Sequence, residues 1–166
     1  MQFEDYRERL SARLFSNFDL YRDITLDDLQ IDMMASFKKT TERYVLLKKN
    51  VQYRFNTFEY FYLIQQESLS LDQLKNFMER LTDHIVQSTE PDQDHMSSDH
   101  TVIFHVKENR PEVAEYVQKY IFRKMFKLGF NGWVHIGLVV VDTNGKIVFS
   151  KHRKQKPYRF LDVQTQ

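Results

Sequence analysis

Between Phe58 and Gln65 the chain reads FEYFYLIQ, and this stretch limits the fold more than any other. In an extended strand, successive side chains point to opposite faces. Phe58, Tyr60, Tyr62 and Ile64 then share one face, while Phe61 and Leu63 share the other. Both faces are apolar, so the strand belongs at the centre of a sheet with a covering layer on each side. A competing reading is a helix, because Glu59 follows Asn56 by three residues, as in a capping box. The alternation and the aromatic content favour the strand. Tyr53 and Phe55 extend the aromatic run, and Lys38, Lys39, Lys48 and Lys49 precede it. An aromatic-and-basic platform for single-stranded nucleic acid would need such residues exposed. Aromatic rings bury the most area per residue, so a core is the preferred reading.

The flanking sequence supplies the layers. Phe3, Tyr6, Leu10, Leu14 and Phe15 give residues 2–16 the spacing of an amphipathic helix. Residues 29–37 alternate, which puts Leu29, Ile31, Met33, Ala35 and Phe37 on one strand face. A short polar turn and a second strand over 42–49 are expected next. Residues 68–87 predict a helix with Ser70 as its N-cap and Leu74, Phe77, Met78, Leu81 and Ile85 as its buried stripe. Residues 88–100 read as an acidic loop and residues 101–107 as a strand. A further helix is expected to open at Asn109 and Pro111 and to stop at Gly129, with Glu115 and Lys119 paired across one turn. Asn144-Gly145 between two apolar runs signals a hairpin. Residues 151–166 form a tail with a basic start. The sum is an α+β fold: one antiparallel-rich mixed sheet of about 5–7 strands packed by about three helices, in a single domain over residues 1–166.

Composition narrows the chemistry. The chain has no cysteine, which excludes disulfides, thiolate catalysis and cysteine-bound metal within it. Its four glycines form neither a phosphate-binding loop nor a dinucleotide fingerprint, and no G-x-S-x-G occurs. The net charge of +1 provides no global field toward nucleic acid or membrane. MQFEDYRERL lacks the apolar core of a secretory signal, and IGLVVV at 136–141 is the longest apolar run. A cytoplasmic location, no membrane partner and no cofactor are therefore expected.

Several clusters carry possible chemistry. Asp92, Asp94, His95, Asp99 and His100 resemble ligands for a hard cation, but their spacing matches no known loop, and a solvated acidic loop is preferred, with no metal site assigned. Asp32 on a strand suggests a nuclease carboxylate, yet no Glu-x-Lys lies on a strand beside it. His84, His105 and His135 fit structural roles, or acid–base work if two are neighbours; no catalytic residue is assigned. Lys119, Arg123 and Lys127 recur every four residues beside Lys124, so they are expected along one helix face. With Lys151, Arg153, Lys154 and Lys156 of the tail they form a candidate patch for phosphates or an acidic protein.

HMSS at 95–98 and KMFKLGFNGWVHIGLVVVD at 124–142 give the chain a resemblance to small bacterial proteins, mostly from Gram-positive organisms, grouped as a domain of unknown function. The resemblance implies a compact bacterial cytoplasmic protein and transfers no activity. Within these stretches Gly129 is expected to cap the helix and Gly132 to allow a tight turn. Trp133 reads as a core anchor or a pocket wall. If the two stretches pair, His95, Ser97, Ser98, Trp133 and His135 line a small polar pocket. The functional expectation is a non-enzymatic binding or interaction module, with itself (as a homodimer) or another protein as partner. Nucleic-acid or phosphate binding through the basic patch is a less favoured alternative. A small-molecule enzyme with histidine acid–base chemistry near His95, His105 or His135 is the third.

Overall fold

The computed structural model describes residues 1–44, 52–89, 95–129, 131–151 and 161–162. Its elements run α1 (Phe3–Leu14), β1 (Asp19–Leu26), β2 (Leu29–Tyr44), β3 (Gln52–Gln66), α2 (Leu71–Ser88), β4 (His95–Val106), α3 (Pro111–Lys119), β5 (Phe122–Met125), β6 (Trp133–Asp142) and β7 (Ile147–Phe149). The strands form one open mixed sheet in the order β1-β2-β3-β4-β6-β5, with β7 also on β6. β1, β2 and β3 form an antiparallel meander. α2, and then α3 followed by β5, return the chain to the same end, so β3, β4 and β6 lie parallel. β5 and β7 close antiparallel against β6. The α+β expectation holds, with antiparallel pairings in the majority.

β3 is the central strand that its sequence requires. Tyr62 and Ile64 enter one core, where Leu74, Met78, Leu81 and Ile85 of α2 and Val113 and Val117 of α3 cover the sheet. Phe61 and Leu63 enter a second core beneath Phe3, Tyr6, Leu10 and Leu14 of α1. Each such fully buried side chain stabilises by about 1.5–3 kcal/mol relative to exposure. α2 begins at a complete capping box: Ser70 Oγ accepts from the Gln73 amide at 3.2 Å, and Gln73 Oε1 accepts from the Ser70 amide at 2.8 Å. Asn144-Gly145 turns the β6–β7 hairpin, with Gly145 at φ 87° and its amide donating to Asp142 O at 2.9 Å. Gly132 also takes a positive φ, 79°, ahead of β6.

Four expectations need correction. No turn separates residues 37 and 42, because β2 runs unbroken to Tyr44 against β3; residues 45–49 of the expected second strand lie outside the described residues. β2 does not present one apolar face. Leu29 and Ile31 join the α2 core, whereas Met33 and Ala35 join the α1 core. The reversal falls at Asp32, whose carboxylate takes the Gln65 amide at 2.8 Å where backbone pairing with β3 has ended. Asp23, across from it in β1, sits at φ 50° outside the β1–β2 ladder.

The supposed loop over 88–100 ends early, since β4 begins at His95. The helix expected over 109–129 stops at Lys119, where Tyr120 is already extended at ψ 127°. Val113 and Val117 make its buried stripe, which a longer helix would continue through Tyr120 and Ile121 and then into Lys124. As a strand, the same segment places Phe122 opposite Ile136 and occupies the open edge of β6. Gly129 therefore caps no helix; it ends a short 3-10 turn, Lys127–Gly129.

Candidate ligand site

The first residues of β4 divide between the two sides of the sheet, because a pleated strand alternates. Ser98 and His100 share the face of Val102 and Phe104, toward α2. Ser97 and Asp99 share the face of Ile103, toward α1. Parallel pairing sets Ser97 beside Trp133 and Asp99 beside His135. The five residues expected in one pocket are thus split. Ser97, Trp133 and His135 lie on the α1 side and Ser98 on the α2 side. His95 pairs with Asn56 through its backbone, and its side chain lies outside the described residues.

On the α2 side is a cleft of about 470 Å³ between β2, β3, β4 and the last turn of α2. Its floor is a ladder of rings from alternate positions of β3, completed by a histidine from β4. Phe58 and Tyr60 have centroids 6.4 Å apart with planes at 9°. Tyr60 and His100 stack at 4.7 Å and 12°, and Tyr62 and His100 at 5.9 Å and 8°. The Tyr62 hydroxyl lies 3.0 Å from His100 Nδ1. Burial, with a smaller contribution from Tyr60, pushes the Tyr62 hydroxyl far above its ordinary pKa. It stays protonated and is able to donate to Nδ1.

The rim is polar and cationic. Lys38 Nζ stands 5.4 Å over the Phe58 ring, a cation–π distance. Asn56, Ser98 and His84 line it beside the apolar Leu26 and Met34, and His84 Nδ1 is held by Asp27 Oδ2 at 2.7 Å. At the end of α2, Ser88 Oγ and Thr89 Oγ1 both donate to Ile85 O, at 3.2 and 2.7 Å. The same carbonyl accepts the Thr89 backbone amide at 3.1 Å, so both hydroxyls are held at the helix end by a group the helix itself already uses. Stacked rings beneath a polar rim suit a flat, ring-bearing ligand with a few hydrogen-bonding groups.

On the opposite face, Glu59, Asp99, His135 and Arg123 stand in register across β3, β4, β6 and β5. His135 Nδ1 is 3.5 Å from Asp99 Oδ1, with side chains 16% and 13% exposed. The Arg123 guanidinium stands 5.6 Å over the Trp133 ring. His105 is held in the α1 core, with rings of Phe3 and Tyr6 at 5.6 and 5.3 Å and Nε2 3.2 Å from Met1 O. Burial lowers its pKa, partly opposed by the bond to Met1 O, as befits a structural imidazole.

The basic stripe is rearranged by the end of α3. Lys119 closes that helix and binds Glu115 at 2.6 Å. Arg123 and Lys124 point to opposite faces of β5, and Lys127 sits in the turn beyond it. Lys151 is exposed, whereas Arg153, Lys154 and Lys156 lie outside the described residues. Sequence reasoning missed His100 and Lys38 as cleft residues. The available signal was the alternation Phe58-Tyr60-Tyr62; the partner at His100 depends on a parallel register that no local pattern encodes.

Among the described residues no helix is long and apolar enough to cross a membrane. The model of a family described as Domain of unknown function (DUF8052) matches residues 2–162. No curated protein and no solved structure matches the chain.

Proposed function

We propose that this chain, which belongs to the family described as Domain of unknown function (DUF8052), is a non-enzymatic module that binds a small ring-bearing ligand in the cleft between β2, β3, β4 and α2. The observation that carries the reading is His100, stacked beside both Tyr60 and Tyr62 and bonded to the Tyr62 hydroxyl on the cleft floor. Such a floor offers ring faces and a fixed polar group at small cost in side-chain freedom. A cytoplasmic setting belongs to the same proposal, supported by the cysteine-free composition.

Ligand-observed NMR with planar heteroaromatic fragments tests it, using the wild-type chain and Ser98→Phe, which fills the cleft. Fragments that bind the wild type and are lost with Ser98→Phe support the site. Fragments that bind both proteins equally, or neither, overturn it.

A second reading is acid–base catalysis, favoured by the Asp99–His135 contact. It requires small molecules to perturb His135 resonances. Perturbations confined to Tyr60, Tyr62 and His100 would remove it.

A further inference from the structure

Five large apolar side chains stand well exposed among the described residues, and three of them fall together: Ile121 at 60%, Met125 at 58% and Leu128 at 93%. The same segment carries Arg123, Lys124 and Lys127, and no Asp or Glu occurs between Glu115 and Asp142. β5 forms one end of the sheet order, paired with β6. Just past it, Lys127 and Leu128 take φ 44° and 57° in succession. Left-handed backbone is unfavourable for a residue with a Cβ, and strain of this kind clusters at functional segments.

Lysines on an edge strand discourage sheet-to-sheet pairing. That accounts for the cations but not for the aliphatic side chains among them. A second copy is a poor occupant, because antiparallel β5–β5 pairing would bring Arg123 and Lys124 against like charges. Nucleic acid is also a poor one. Phe122 and Phe126, the rings of this segment, pack against the core, and bases need exposed rings to stack on. Exposed aliphatics among cations, with no acid nearby in sequence, match the headgroup and acyl boundary of an anionic leaflet.

We propose that the edge from Ile121 to Leu128 docks on a membrane surface rich in anionic lipid. Met125 and Leu128 enter the acyl boundary, and Arg123, Lys124 and Lys127 lie among the headgroups. The expectation of no membrane partner rests on the lack of a spanning run, and surface docking needs none.

The test is co-sedimentation of the full chain with vesicles of phosphatidylcholine alone and of an equimolar phosphatidylcholine–phosphatidylglycerol mixture. Binding to the mixture, roughly tenfold weaker for each of Leu128→Ser and Met125→Ser, is the expected result. Both positions are exposed, so far-UV circular dichroism should show each variant folded. Failure to bind the anionic vesicles overturns the proposal, as does binding that both variants keep in full, since adsorption by charge alone would explain it. Salt-sensitive binding to a labelled oligonucleotide that Lys124→Ser and Lys127→Ser abolish, without vesicle binding, overturns it in favour of nucleic acid.

Discussion

Tyr62 is at once core and site. The residue is 4% exposed within the α2 core, and its hydroxyl reaches His100. Tyr62→Phe keeps the ring and deletes one buried hydrogen bond. It should destabilise the fold by about 1–3 kcal/mol in urea titration and weaken any ligand seated on the His100 ring. His105 makes a different prediction. Its folded pKa lies below the ordinary 6.5. Below that pH the unfolded chain binds the proton more readily, so the contribution is fully present above about pH 6.5 and is lost as pH falls through the folded value. The urea midpoint of the wild type should therefore drop between about pH 7.5 and about pH 5, and His105→Leu should show a shallower drop. At this scale the sequence was only partly legible. Alternation told which face Tyr62 takes, but not that His100 would lie beside it. Ser97 and Ser98 looked like one pocket because adjacency in sequence is separation across a pleat.

Elements were legible where their determinants are local. α2 carries its own start signal and its own stripe, so it appears where the sequence puts it. Ser70→Ala should cost about 1 kcal/mol of stability, read from the shift in urea midpoint, by removing one arm of the capping box. α3 was misread because its end is decided elsewhere. β6 has an open edge, and Phe122 gains more by covering Ile136 than Lys124 would by entering a helix core. The start of β4 escaped notice for the same reason: a polar segment becomes strand when both neighbours offer it a ladder. The reversal in β2 follows from one carboxylate, Asp32, replacing a backbone partner.

Across the whole molecule, two cores share a set of strands. Phe61 and Tyr62 are sequence neighbours that belong to opposite layers, so neither layer can melt while the other keeps its sheet. Unfolding followed by Trp133 fluorescence and by far-UV circular dichroism should trace one coincident transition. Phe61→Ala should shift both traces together by about 3–5 kcal/mol; separated traces would refute the coupling. The overall architecture was legible because an apolar strand on both faces demands two covers, while the parallel order of β3, β4 and β6 depends on how distant segments meet. The same sharing bears on how such a chain diversifies. The cleft floor is made of strand positions that alternate with core positions, so new specificities there arise under a strong stability constraint. Lys38 and Asn56 at the rim, and Phe58 at the outer end of the floor, are bound less tightly to the interior. Drift in ligand preference should collect at these three, leaving Tyr62 and His100 as the inherited part.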